Sequence, residues 1–313
     1  MAVIVAEYLG IRTDQGFTVS VPAISKNSNN PDKPTLSCPF KNSHCDKAKR
    51  GDKPVCSVRN VKTQELWIVC SHRLCATHKG TAKRPIALNE HQKTVLHNVA
   101  KEIFDPEITR QEVLVKREVA IPVSPDSDYS ADYVMWRRNP KINAGYNADR
   151  PVVLEMQGGG ETTSTGDLTK HITHWEQGLV ALTEPVNKTA PLVTNAWRRQ
   201  QEQFLVKGNA AMLTGGRIVF CVGPMIYQYL LPRLQATTIF PDLKNANWTL
   251  ALLTFVEDKS DNAFIPACAP QSIPLKIDSE QSLFTNYSFF IQAITNQGTA
   301  CNSLFAEPFE DLL

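Results

Sequence analysis

No run in the 313 residues approaches the roughly 20 uninterrupted apolar residues of a membrane span, and there is no internal repeat or low-complexity tract. Hydrophobic residues make up 42% and charged residues 20%, which excludes disordered, collagenous and coiled-coil chains and leaves a folded protein with a sizeable core. The first residues, MAVIVAEYLGIRTD, put Glu7 where a signal peptide needs its apolar run, so a cytoplasmic location is expected. The sequons at Asn187, Asn247 and Asn286 are then chance matches. The triple glycine at Gly158 to Gly160 lacks the following Lys and Ser or Thr of a phosphate-binding loop and reads as a flexible connector. No GxSxG occurs, and the histidines show no partner pattern for a nucleophilic triad.

Positive charge is concentrated at one end. The formal total is +2, but residues 1–80 carry twelve Lys and Arg against six Asp and Glu, and the remainder carries 21 against 25. A basic N-terminal face of this kind either attracts phosphate backbones or is simply solvated. Cysteine is plentiful and unevenly placed: five of the eight fall between Cys38 and Cys75. Cys38, Cys45, Cys56 and Cys70 are separated by 6, 10 and 13 residues. In a reducing compartment, four thiolates in so short a stretch can close a tetrahedral site around zinc or iron. Paired CxxC knuckles are absent, Cys75 is a rival ligand, and His44, His72 and His78 are further candidates. Cys221, in the apolar run RIVFCV, and Cys268 read as core thiols.

The N-terminal stretch opens with a short strand or helix at Val3 to Leu9. Pieces such as Leu66 to Val69 suggest strands tied together by a metal. Asn89 can cap a helix whose Val95, Leu96, Val99 and Ile103 follow helical spacing, ending before Pro106. Then come EVLVKREVAI, ADYVMW and PVVLEMQ, a helix from near Thr194, RIVFCV, a helix started by Pro224, and LALLTFV. This alternation predicts an α/β sheet flanked by helices. The polar connector RRNPKINAGYNADR predicts that the second and third of these strands pair antiparallel.

In VVLEMQ, a side-chain period of two puts Val153, Glu155 and Gln157 on one face. A carboxylate at the end of an apolar strand is costly unless it is paired or binds a cation. Asp132 lies 23 residues upstream at the start of an aromatic strand. Two acids on adjacent strands can converge on magnesium, which retains waters and can activate one for attack on a phosphodiester. This is the layout of PD-(D/E)xK nucleases, with Gln157 at the position normally held by Lys. On the predicted helix, Asn195, Arg198, Arg199 and Gln203 can meet phosphates or base edges, or form a solvated face; Trp197 and Phe204 read as core.

TLSCPF, the cysteines in order through LWIVC, then ADYVMW, VVLEMQ, TNAWRRQQEQF and RIVFCVGP resemble the NotI-like family of type II restriction endonucleases over most of residues 30–235. The resemblance implies a bacterial restriction enzyme: a homodimer that cuts a palindromic DNA duplex with magnesium and carries an N-terminal iron on four thiolates. It puts the catalytic acid on Asp132, the E-x-Q pair on Glu155 and Gln157, and an upstream acid on Glu118, with Glu112 and Asp128 as alternatives. It puts the thiolate ligands, for iron or zinc, on Cys38, Cys45, Cys56 and Cys70. The spacing of the first two cysteines and the glycine loop after Gln157 depart from the family pattern.

The expectation is therefore an α/β chain with a PD-(D/E)xK core of mixed sheet, a metal-stabilised module over residues 1–88 and a catalytic endonuclease domain over 89–313. Rival readings are a non-catalytic, metal-stabilised DNA-binding protein on a degenerate nuclease fold, and a metal-stabilised protein-interaction module. The first lacks magnesium-dependent cutting; the second lacks salt-dependent DNA affinity.

Overall fold

In the computed structural model, the described residues are 2–14, 25–27, 30–50, 52–76, 79–124, 127–141, 149–158, 160, 162–235 and 242–295. His78, Gly159, Cys301, the closing LFAEPFEDLL and the middle of the RRNPKINAGYNADR connector lie outside them.

The nearly continuous apolar run AVIVAEY suits a strand covered on both faces and forms β1 (Ala2–Tyr8). Leu9 and Gly10, both at positive φ, turn it into β2 (Ile11–Arg12), and a Cβ on Gly10 would strike the Pro39 ring. The short pair β3 (Ser25–Asn27) and β4 (Asn30–Thr35) precedes α1 (Asp46–Arg50), β5 (Val55–Asn60) and β6 (Leu66–Ile68). A one-turn 3-10 helix, Ser71–Leu74, and the minimal hairpin of β7 (Gly80–Thr81) and β8 (Arg84–Pro85) follow.

The capped helix is α2 (Glu90–Ile103), where the Asn89 side chain accepts from Gln92 N and the Gln92 side chain accepts from Asn89 N. The predicted strands are β9 (Val113–Ser124), β10 (Ser127–Arg137) and β11 (Val152–Gln157). Next come α3 (Thr165–Glu176), β12 (Val186–Asn187), α4 (Val193–Leu213), β13 (Arg217–Val222), α5 (Pro224–Gln235), β14 (Leu250–Glu257), β15 (Leu275–Thr285) and α6 (Tyr287–Thr295). None of the described helices is long and apolar enough to cross a membrane.

Six strands form the main sheet in the order β15-β14-β13-β11-β10-β9. β11, β13 and β14 run parallel at its centre, while β9, β10 and β15 are antiparallel to their neighbours. The chain is thus mixed α/β. Side chains of β13 and β14 alternate between two apolar clusters. Ile218, Phe220 and Leu252 face α4, α5 and α6; Val219, Cys221 and Leu253 face α2. On the α4 side, Phe204 stacks on Phe220 at 3.7 Å and on Phe290 at 5.2 Å, which makes truncation of Phe204 worth about 3–5 kcal/mol.

A second sheet, ordered β12-β1-β5-β6 with β2 beside β1, gathers the N-terminal strands, and its edge strand β12 comes from the middle of the chain. The apolar cluster on the α4 side runs continuously into this sheet through Val3, Val5, Val58 and Trp67. The two sheets are also joined by a buried polar junction. Glu7 accepts from Arg73 Nε at 2.8 Å, Ser57 Oγ at 2.7 Å and Ile273 N at 2.7 Å, and Arg73 Nη2 donates to the Ile273 carbonyl. Every ligand of this carboxylate is a donor, which is what permits its complete burial.

Candidate active site

Three acids stand side by side on adjacent strands of the main sheet. The β10–β11 register pairs Tyr133 with Leu154, so Asp132 stands opposite Glu155. On the other side, Ala131 pairs with Val119 and Tyr133 with Arg117, which brings Glu118 abreast of Asp132. The charge of Glu118 is among the influences raising the pKa of Asp132. Glu118 is also one of few non-glycine residues at positive φ, 48°, a strained conformation of the kind that concentrates at functional sites. Of the alternative acids, Glu112 is paired with Arg137 at 3.0 Å at the start of β9, and Asp128 is exposed opposite Pro122. The geometry brings Glu118, and neither of these, to Asp132.

Asp132 and Glu155 are interlocked. Met156 N donates to Asp132 Oδ2 at 2.8 Å, and Asp132 N lies 3.3 Å from Glu155 Oε1. Gln157 Nε2 sits 3.5 Å from Glu155 Oε2, at the limit of a hydrogen bond. Glu155 is only 1% exposed. Burial, then the neighbouring charge of Asp132, pushes its carboxyl up to about 7 in spite of a cation beside it. Burial also raises Asp132.

That cation is Lys207, a residue the sequence reading passed over. Its Nζ lies 2.7 Å from Glu155 Oε2, and the residue is 4% exposed, reaching the sheet from α4. On β11 the residue two places after Glu155 is Gln157 and not a lysine, yet a lysine enters the same acid pair from α4. The available signal was positional. Gln200, Gln203 and Lys207 follow Ala196 at spacings of four, three and four residues, a polar stripe on one face of α4. These four residues, with Asp132, Glu155, Gln157 and Gly158, line an open cleft of about 310 Å³. The carbonyl oxygens Gln200 Oε1 and Gln203 Oε1 are buried without a partner among the described residues, so the cleft presents amide groups with bonds still to make.

Of the residues proposed to touch DNA, Gln203 is at this cleft. Asn195 and Arg198 are exposed on other faces of α4 and do not line it, while the Arg199 side chain lies outside what is described. The helical pitch explains the separation: position 195 lies about 110° from the stripe through 196, 200, 203 and 207, and position 198 about 170° from it, on the opposite side of the helix. Trp197 and Phe204 are core, as their types suggested. The glycine loop is no loose connector at its ends. Gly158 packs against Ser71, and Gly160 exchanges bonds with Ile68 O at 3.0 Å and Trp67 Nε1 at 3.2 Å.

Cys38, Cys45, Cys56 and Cys70 lie near enough for some of them to influence one another's ionisation. Cys38 N donates to Ser43 O and Cys45 N to Leu36 O, closing a tight loop; Cys70 N donates to Cys56 O at the end of the β5–β6 hairpin. Burial pushes Cys38 up to about 12, with Cys70 and Cys45 adding to the rise; burial likewise raises Cys56 and Cys70, and Cys38 and Cys70 add to the rise at Cys56. Backbone donors face the sulfurs: Gly10 N lies 3.2 Å from Cys56 Sγ, and the N–H groups of Phe40, His72 and Arg73 favour the thiolates of Cys38 and Cys70. Cys75 belongs elsewhere, buried in the α2-side core 3.4 Å from Tyr133 Oη. His44 is exposed, and His72 Nε2 is engaged by Asp46 at 2.7 Å and Lys41 at 3.1 Å.

Among the described residues, no group of three or more His, Cys, Asp or Glu side chains stands at metal-ligand spacing. By donor chemistry alone, four thiols with N–H donors beside them are of the type that suits a soft ion such as iron or zinc. Asp132 and Glu155 suit a hard ion that takes one or two carboxylates and keeps its waters. Set against known proteins, the chain matches no family model and no curated protein.

Proposed function

We propose that this chain is a magnesium-dependent DNA endonuclease of the PD-(D/E)xK layout, of the NotI-like restriction type, working as a homodimer on a palindromic site. The observation that carries the reading is the desolvated pair Asp132 and Glu155, facing each other on adjacent strands at an open cleft with Lys207 Nζ on Glu155. A purely structural ion pair needs one acid for one base. A second, partly buried carboxylate beside Glu155 raises the energy of the ground state and is useful where a cation and a phosphate are to be gathered.

Asp132 and Glu155 would hold the magnesium, which when bound supplies Lewis-acid stabilisation of the phosphate and a water of lowered pKa. Lys207 provides the positive charge that Gln157 lacks and faces the negative charge that develops on the phosphate oxygens. Gln157 is both donor and acceptor, so its amide can orient a water or a phosphate oxygen without exchanging a proton. Gln200 and Gln203 offer their unpartnered carbonyl oxygens to donors on the substrate. Cys38, Cys45, Cys56 and Cys70 would hold iron or zinc as a structural site, supporting the 3-10 turn Ser71–Leu74 that packs on Gly158 at the rim of the cleft.

The test is incubation of the purified chain with supercoiled plasmid and with linear DNA of known sequence, with and without magnesium, followed by mapping of the ends. Discrete fragments with identical ends, formed only with magnesium, are expected. Binding without cutting would move the chain to the non-catalytic reading, and absence of salt-dependent DNA affinity would remove nucleic acid altogether. For a palindrome read by two copies, sedimentation should give about twice the chain mass.

A further inference from the structure

The opposite face and opposite end of the main sheet carry a buried arginine whose hydrogen bonds are incomplete. Arg217 opens β13 opposite Val152, whereas Glu155 stands opposite Phe220 on the α4 side. Strand alternation puts Arg217 with Val219 and Cys221 on the α2 side, where its guanidinium lies over the Trp248 ring at 4.3 Å. Arg217 is 3% exposed, yet Nε and Nη2 have no hydrogen-bond partner among the described residues. Those two N–H groups form one edge of the guanidinium, the edge that grips a carboxylate or phosphate through two parallel bonds.

Arg217 lines a cavity of about 410 Å³, together with Lys101, Phe104, Asp105, Lys244 and Trp248. Its acids are already committed. Asp105 is paired with Lys141 and Arg137, and Glu102 with Lys244 at 2.8 Å. Asp149 accepts from Lys141 N at 2.8 Å and lies 3.6 Å from Arg137. Burial, then the charge of Arg150, pushes Arg217 down to about 10 against the opposing pull of Asp149, so it still carries its charge at neutral pH. A buried cation with a free bidentate edge at a cavity is incomplete, because the desolvation cost is met and the compensating bonds are not made.

We propose that this cavity binds a small free oxyanion, a phosphate or carboxylate group, held by Nε and Nη2 of Arg217 and backed by Lys101 and Lys244, at a site separate from the Glu155 cleft. The volume exceeds that of one such group, so the ligand extends beyond its anionic end. A duplex lying at the Glu155 cleft is on the other side of the sheet, which favours a free small molecule over a DNA phosphate as the source.

Thermal unfolding of the full chain, titrated with inorganic phosphate, with citrate and with a short DNA duplex at ionic strength fixed by chloride, tests this. Phosphate or citrate should raise the melting temperature saturably, by about 2–5 °C at saturation. Arg217→Met should abolish the saturable shift and, by removing an uncompensated charge, leave the ligand-free melting temperature at or above that of the parent. Arg217→Lys keeps the charge, loses the fork, and should weaken half-saturation by about tenfold or more. The proposal is overturned if neither anion shifts the parent beyond chloride, or if Arg217→Met retains the shift. Should Arg217→Met not fold, an unchanged half-saturation in Arg217→Lys overturns it equally. An Arg217-dependent shift given by the duplex alone would replace the free oxyanion with a nucleic-acid contact.

Discussion

Lys207 Nζ lies 2.7 Å from Glu155 Oε2, carrying from α4 to β11 the cation that the strand itself does not supply. The pair is buried, but it is not a simple ion pair, because burial, and then the charge of Asp132, lifts the Glu155 carboxyl to about 7. Lys207→Met should therefore lower DNA cleavage by at least about 100-fold. Its stability cost should fall below the roughly 3–5 kcal/mol of an ordinary broken buried pair, because Glu155 takes up a proton instead of remaining charged. Adding Glu155→Gln to Lys207→Met should restore stability without restoring cleavage. Chemical denaturation and a plasmid nicking assay separate the two effects.

The placement of Lys207 depends on its neighbour. A Cβ on Gly208 would run into the Tyr287 ring, which is fixed by bonds from Tyr287 Oη to Leu205 O at 2.7 Å and from Tyr287 N to Thr249 Oγ1 at 2.9 Å. Gly208→Ala should force α4 away from α6, costing about 1–3 kcal/mol and lowering cleavage by moving Lys207. The matched control is Gly166→Ala in α3, where a Cβ meets nothing; it should be neutral or slightly stabilising.

A third prediction concerns His91, buried at the start of α2, 4.8 Å from the Phe40 ring centroid and with Nε2 3.2 Å from Arg73 O. Burial first, and Arg73 second, push it down to about 3 from an ordinary 6.5. The unfolded chain thus binds a proton that the folded chain refuses between those values. The stability contributed by neutral His91 is complete above about pH 6.5 and is lost as pH falls toward 3, at up to about 1.4 kcal/mol per pH unit. Urea unfolding between pH 4.5 and 7 should show this slope in the parent and a slope smaller by nearly one proton in His91→Gln.

The thiolate site yields a fourth. Purified protein should carry about one iron or zinc per chain, and Cys→Ser at Cys38, Cys45, Cys56 or Cys70 should lose it with destabilisation. Cys75→Ser should retain the metal, because that thiol bonds Tyr133 in another core. Elemental analysis with visible spectroscopy decides; metal lost with Cys75→Ser and kept with Cys70→Ser would reverse the assignment.

Much of the main sheet was legible because its strands are apolar runs bounded by turns, and α2 because Asn89, Gln92 and the Val95 to Ile103 stripe agree on one helix. The face shared by Glu155 and Gln157 followed from a period of two. Lys207 did not, since one lysine among several on a helix gains meaning only when that helix is laid over the sheet. The reading of Gly158 to Gly160 as a connector missed a long-range approach, Gly158 to Ser71, that no local pattern encodes. Arg217 was hidden likewise. At the edge of RIVFCV it reads as a strand-end charge, and only the packing of Trp248 over it reveals its burial.

The most direct measurement is of cutting and binding in the same variants. Asp132→Asn and Glu155→Gln, tested on duplex DNA with magnesium for cleavage and with calcium for binding by gel shift, should cut at least about 1000-fold more slowly than the parent while binding DNA within severalfold of it. Retained folding should be checked by melting temperature. Substantial magnesium-dependent cleavage by either variant, or a parent protein that neither cuts nor binds duplex DNA, would contradict the account.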